Sequence, residues 1–149
     1  MNNTLAILLS DTYKQVHHNM FPEGLTKLVS YWTPRRSMLK NQNEMVFFGL
    51  QAFIKEYLIG VFNDNFFNLM LGEVAGRYID SMDTQLNIED YDYNPISELY
   101  SLRYLPIQIR ALPEGTLVPM GVPCIEITNT HPDFAWVVQW IECILQVEL

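Results

Sequence analysis

Only two cysteines, Cys124 and Cys143, occur among the 149 residues. Both stand among apolar neighbours and form no Cys-x-x-Cys spacing, so neither a disulfide framework nor a thiolate metal site is expected. Each reads as a small buried hydrophobe, and a reducing cytoplasmic setting fits. Basic residues are also scarce: nine Lys and Arg face seventeen Asp and Glu, a net charge of −8. Such a chain lacks the basic face that nucleic acid requires and the polybasic segment that draws proteins to anionic membranes. No apolar run reaches the ~18 residues of a spanning helix. The first residues, Met1 to Lys14, hold too short an apolar stretch, and no basic leader, for a secretory signal. There is no P-loop, no GxGxxG, no GxSxG and no HExxH. Nor is there an acidic pair at a strand end followed by small residues, the usual cradle for a phosphorylated ribose. Repeats and low-complexity tracts are absent as well.

What remains is half apolar by composition and about the length of one ordinary domain, which favours a packed globule. Asp11 to Met20 predicts a short helix, with Asp11 as N-cap and Tyr13, His17 and Met20 on one face. Phe21 to Gly24 is a turn, and Leu25 to Trp32 alternates like a strand. Met45 to Ile59 has the apolar spacing of an amphipathic helix stopped by Gly60. Phe66 to Met82 predicts a second helix with Leu69, Met70, Val74 and Tyr78 as its core stripe. The acidic stretch Asp83 to Tyr93 reads as a loop, and Asn94-Pro95 opens a further helix. Pro106 to Leu112 reads as a strand and Pro113 to Gly115 as a turn. Thr116 to Thr128 reads as a hairpin broken at Pro119-Met120-Gly121. His131-Pro132-Asp133 opens a final helix that is apolar almost all round from Phe134 to Leu149. Such a helix needs cover on every face, which predicts that the chain continues or pairs with another. The fold class expected is α+β, antiparallel strands packed with helices, as a single domain over residues 1–149.

Three clusters could carry chemistry. Around Ser10 to Lys14, Asp11 is read equally well as a helix cap or as a polar group beside a ligand. Tyr13 and His17 lie one turn apart and can form either an amphipathic packing face or an aromatic plate for a flat heterocycle. A metal site from Asp11, His17 and His18 is disfavoured, because adjacent helical histidines diverge by about 100°. The second cluster is Arg35, Arg36 and Lys40, a solvated loop or a phosphate clamp, since the guanidinium fork matches phosphate oxygens. The third is Arg110, which alternates out of phase with Ile107, Ile109 and Ala111 and so lies on the opposite face of its strand.

Several stretches, in order, carry a family resemblance. They are Asp11-Thr12-Tyr13-Lys14 with His17 and Phe21-Pro22; Ser30-Tyr31 followed by Arg35; Phe47 to Gln51; Leu105 to Gly115; Val118 to Gly121; and Asn129 to Pro132 with Trp136, Trp140 to Glu142 and Leu145. The ordered set resembles the N-terminal part of the nicotinamide phosphoribosyltransferases, type II phosphoribosyltransferase-like enzymes. The nicotinate phosphoribosyltransferases are similar but less so. The stretch Phe62 to Asp92 matches poorly, and Thr33-Pro34 departs from the pattern just before Arg35.

The resemblance implies a pentosyltransferase of NAD salvage. Phosphoribosyl pyrophosphate and nicotinamide give nicotinamide mononucleotide and pyrophosphate, with Mg2+ on the pyrophosphate and ATP hydrolysis coupled through a downstream histidine. It implies a cytoplasmic homodimer with active sites at the subunit interface. Tyr13 then corresponds to the tyrosine stacking on the nicotinamide ring, Asp11 to the acidic residue beside it, and Arg35 to an arginine reaching substrate phosphates. All three are substrate-binding. No catalytic or metal-ligating residue is expected within 1–149, because the ribose-phosphate cradle, the residue recognising the carboxamide and the phosphorylated histidine are expected beyond Leu149. The chain alone is therefore expected to be inactive. Two alternatives are a non-catalytic interaction or dimerisation module from a truncated or split gene, and part of a nicotinate phosphoribosyltransferase.

Overall fold

The computed structural model describes residues 4–88 and 91–148. The chain divides into two compact units, one formed by the residues through Phe21 with Ile54–Leu105, the other by Pro22–Phe53 with the residues from Pro106 on. Helices and antiparallel strands make an α+β protein, as expected. Among the described residues, no helix is long and apolar enough to cross a membrane.

The first unit is helical. After a 3-10 turn at Ala6–Leu9 comes α1 (Lys14–His17), followed by a second 3-10 turn at His18–Met20. The helix thus begins three residues later than the sequence suggests. Tyr13, not Asp11, occupies the N-cap position, and Asp11 contributes its backbone carbonyl to the Lys14 amide at 2.9 Å. Two π-helical stretches, Ile54–Val61 and Asn63–Phe67, occupy the region read as ending at Ile59. Gly60 does not stop the helix. A Cβ there would stand 3.3 Å from the Lys55 carbonyl, five residues back, so the wide turn and the missing side chain suit each other. Phe62, Phe66, Phe67 and Tyr100 build an aromatic cluster with centroids 5.0–6.3 Å apart, edge-on except for the tilted Phe62–Phe67 pair.

A break at Met70, in extended conformation, separates this cluster from α3 (Leu71–Leu86). The expected helix from Phe66 is therefore two helical segments, and Met70 is exposed rather than part of the core stripe. Val74, Tyr78 and Met82, four residues apart, are wholly buried on one face. The helix runs four residues into the stretch read as a loop. It ends where Asn87 turns left-handed (φ 51°), its amide bonding to the Asp83 carbonyl at 2.9 Å. Glu89 and Asp90, within the predicted acidic loop, lie outside the described residues. Then α4 (Asn94–Leu102) begins with Pro95 in its first turn, as predicted, although Tyr93 rather than Asn94 holds the N-cap position.

The second unit carries the sheets. β1 (Val29–Trp32) and β3 (Ile107–Ala111) flank β5 (Ile125–Asn129), all antiparallel. β1 is four residues shorter than its alternating pattern. Ahead of it, Asn129 takes over the ladder's work: its side chain accepts from the Leu28 amide at 2.8 Å and donates to the Thr26 carbonyl at 2.8 Å. The predicted hairpin from Thr116 to Thr128 does not form. β4 (Leu117–Pro119) leaves to pair with β2 (Glu44–Val46), and only β5 joins the larger sheet. Met45 and Val46, read as helical, are thus strand residues.

Gly49 at φ 104° turns the chain into the short α2 (Leu50–Phe53). The Gln51 amide in its first turn donates to the Glu114 carboxylate at 2.8 Å, a cap supplied from 63 residues away. α5 (Val137–Glu148) follows a 3-10 turn at Pro132–Phe134 and packs on β1 and β5. It buries Val137, Val138, Trp140, Ile141, Ile144 and Leu145 within this chain, while Val147 is 84% exposed. Contrary to the expectation from sequence, the chain's own residues cover the apolar positions of this helix except Val147.

Candidate functional site

The Asp11–His17 segment presents its aromatic group outward. Tyr13 is 51% exposed, and its ring centroid lies 4.9 Å from that of His17, tilted by 59°. The Lys14 ammonium stands 5.7 Å from the same ring. Asp11 is exposed two residues away. The one-turn spacing thus gave the pairing of Tyr13 and His17 correctly, and about half of the Tyr13 side chain lies outside the packed core. Thr12 ties the segment to α3 through its hydroxyl, which donates to the Gln85 side-chain carbonyl at 2.7 Å.

Beneath this surface lies a residue that the sequence reading did not single out. Gln15 is 1% exposed. Its amide nitrogen donates to the Ile7 carbonyl at 3.0 Å and to the Ser10 hydroxyl at 2.7 Å. Its amide oxygen accepts from the Tyr78 hydroxyl at 3.1 Å, and its backbone carbonyl from the Tyr91 hydroxyl at 2.7 Å. Burial pushes the Tyr78 and Tyr91 phenols up, so both remain neutral donors. A buried amide on a four-residue helix leaves no periodic mark in a sequence; only the arrival of tyrosines 63 and 76 residues away reveals it. Next to it, burial holds His18 below the ordinary histidine value. A hydrogen bond to the Gln15 backbone and the charge of Asp92 oppose that shift without cancelling it.

Arg35, in the second unit, is exposed and lines an open groove of about 530 Å³ with Tyr31, Trp32, Thr33, Pro34, Glu142 and Gln146. The Glu142 carboxylate in that groove is already engaged by the Ser30 hydroxyl at 2.7 Å and the Gln146 amide at 3.0 Å. The groove sets the exposed Arg35 near Trp32 and Thr33, an arrangement in which a guanidinium fork could meet an anion. Arg36 and Lys40 are exposed but do not line it. Glu142 and Gln146 were missed by sequence reading because they reach the groove from α5, more than 100 residues away.

Arg110 lies on the outer face of its strand, as predicted. It pairs loosely with Glu126 at 3.7 Å, its side chain 71% exposed. In register beyond Glu126 is Tyr31, whose phenol is pushed up by its hydrogen bond to that carboxylate and by its charge. This row is a cross-strand surface ladder. Cys124 is buried, with its thiol pushed up by that burial, as expected of an inert core cysteine.

Comparison with known proteins bears on these positions. A family model described as "Nicotinamide phosphoribosyltransferase, N-terminal domain" matches residues 5–109, a span that holds Asp11, Tyr13, Gln15 and Arg35 and runs through the weakly resembling Phe62 to Asp92. A nicotinamide phosphoribosyltransferase of Acinetobacter baylyi is 40% identical over 144 residues, covering 93% of this chain and 28% of that protein. One of Xanthomonas campestris pv. campestris is 27% identical over 145 residues, with 93% and 27% covered. The chain thus spans little more than a quarter of the length of these relatives. Among solved structures, human nicotinic acid phosphoribosyltransferase superposes with a TM-score of 0.61 at 22% identity, covering 94% of this chain and 25% of that one, a likeness of fold. With the family match over most of its length and a relative at this identity, the chain belongs to the nicotinamide phosphoribosyltransferase family, in the region of its N-terminal domain.

Proposed function

We propose that this chain forms the nicotinamide-gripping part of an enzyme that transfers phosphoribose to nicotinamide. The observation that carries the reading is the half-exposed Tyr13 ring beside Asp11, within the span matched by the family model. In the reaction, the ring nitrogen of nicotinamide attacks C1 of the ribose as the C1–oxygen bond to pyrophosphate breaks. The neutral pyridine becomes a pyridinium cation, and the bonding electrons leave with pyrophosphate.

Charge develops on the heterocycle, so groups that favour a cation there lower the barrier more than they tighten ground-state binding. The electron-rich face of Tyr13 does this by cation–π attraction, about 0.5–2 kcal/mol according to its desolvation. The Asp11 carboxylate adds a Coulombic contribution of the same sign. Arg35 takes the phosphate end of a substrate, its fork matching phosphate oxygens.

Mg2+ supplies charge neutralisation of the leaving pyrophosphate when bound. Among the described residues, no three His, Cys, Asp or Glu side chains converge as a metal-ion cluster. The remaining parts of the reading are a cytoplasmic homodimer whose sites lie across the subunit interface, ATP coupling, and a ribose-phosphate cradle supplied by the other three quarters of the family's length. On that reading the purified 149-residue chain forms no nicotinamide mononucleotide from nicotinamide and phosphoribosyl pyrophosphate. A chromatographic assay that finds product would overturn it. In an active full-length protein carrying this segment, Tyr13→Ala lowers kcat/KM for nicotinamide by about tenfold, within the stacking range. Unchanged kinetics would remove Tyr13 from the site.

A further inference from the structure

The helix that carries Tyr13 is too short to hold itself. α1 has four residues, roughly a third of the ~12–15 below which isolated helices are marginal in water. Its N-cap residue, Tyr13, makes no side-chain capping bond. Yet its exposed plate is fixed closely enough for the Tyr13 and His17 rings to meet at 4.9 Å. Something else must define the backbone between Ser10 and His17, and the buried side of the same turn shows what it is.

Gln15 uses both amide hydrogens and its carbonyl oxygen. The two N–H groups reach backward along the chain, to the Ile7 carbonyl and the Ser10 hydroxyl, and so close the loop that contains Asp11 and Tyr13. The oxygen is held by the Tyr78 hydroxyl from α3, itself wholly buried. The Tyr91 hydroxyl pins the backbone carbonyl. These four bonds span three separate stretches of chain. Above them, the amides of Lys14, Gln15 and Val16 bond to the carbonyls of Asp11, Thr12 and Tyr13 at 2.9, 3.1 and 3.3 Å, the direct frame of the plate.

We infer that Gln15 is a positioning residue for the ligand-stacking surface of Tyr13: its buried amide clamps the Ser10–Tyr13 turn from below and so presets the ring's orientation. A residue that only filled the core would not need a side chain with two donors and an acceptor, since an apolar residue of similar volume costs less to bury. Presetting matters because a plate that must be ordered on each binding event spends part of the ligand's interaction energy on its own immobilisation. The functional weight of the inference rests on the stacking role proposed above for Tyr13; the structural part does not.

The test separates positioning from mere stability by removing both ends of one bond. Gln15→Met alone takes a partner from the Ile7 carbonyl, the Ser10 hydroxyl and the Tyr78 hydroxyl, whereas Gln15→Met with Tyr78→Phe removes the last of these losses and recovers part of the melting temperature. In the double variant of the full chain, amide exchange at Lys14, Gln15 and Val16 is expected to accelerate by about tenfold or more, with α3 amides changed less than about twofold. The nuclear Overhauser contacts between the Tyr13 and His17 rings should weaken or vanish. Retained ring contacts with unchanged exchange at these three amides would overturn the inference.

Should the Met variants not fold, Ser10→Ala and Tyr78→Phe each delete one bond to the Gln15 side chain. Each should accelerate exchange at the same amides, and neither doing so would equally overturn it. Nicotinamide titrated into the unaltered full-length protein reports separately on the stacking reading. No shift of the Tyr13 ring resonances there would sink that reading and leave the exchange result to decide the clamp.

Discussion

Arg35 and Arg36 are neighbours with the same side chain and comparable exposure, yet only Arg35 lines the groove with Trp32 and Glu142. Loop composition cannot make that distinction; it depends on which way the chain leaves β1. It leads to a residue-scale prediction. In an active full-length protein, Arg35→Ala should raise KM for phosphoribosyl pyrophosphate by about tenfold or more, the worth of a charge-assisted hydrogen bond. Arg36→Ala should change it by less than about twofold. Steady-state kinetics on both variants decides the matter, and equal effects would mean that general positive charge, rather than the groove, does the binding. Tyr13 and Gln15 show the same lesson in a different form. The first is exposed and readable from its spacing with His17; the second is buried, and its role appears only when Tyr78 and Tyr91 arrive from distant sequence.

Elements were legible where their pattern was local. α4, β3 and the Pro132 turn stand within a few residues of their predicted places because a proline, a cap position and strict alternation sit inside the element itself. The misreadings are those where pairing is long-range. Met45 and Val46 carry helical spacing, yet they pair with Val118 and Leu117 in a two-stranded ribbon. Thr116 to Thr128 looks like a hairpin because its two strands flank a Pro-Met-Gly turn, but each finds a partner elsewhere. β5 is the strand that organises the larger sheet, and its alternation sets a prediction at this scale. Ile127 points to the α5 side and is 1% exposed, whereas Arg110 is on the outer face, pairing with Glu126 over 3.7 Å. Ile127→Ala should destabilise the chain by about 2–5 kcal/mol through lost transfer energy and a residual cavity. Arg110→Ala should cost less than about 1 kcal/mol, as an exposed ion pair does. Urea unfolding of the two variants tests the face assignment, and comparable losses would contradict the register.

For the molecule as a whole, the acidic composition makes its response to falling pH complex below about pH 5, where carboxylates begin to protonate. Above that, His18 makes a definable contribution. Its folded-state pKa lies below the ordinary value of 6.5 because burial disfavours the imidazolium, an effect larger than the opposing Gln15 and Asp92 contributions. The unfolded chain therefore takes up a proton near pH 6.5 that the folded chain still refuses, and the linkage sign follows: stability falls as pH drops through 6.5 and levels off only below the lowered folded value. Lowering the pH from about 7.5 to about 5.5 should lower the melting temperature of the unaltered protein more than that of His18→Gln, which has no proton to take up in either state. Because both proteins share every carboxylate, the difference between their slopes isolates the histidine. Parallel slopes would mean that His18 meets the same proton affinity folded and unfolded, and its burial would then be too loose to exclude a charge.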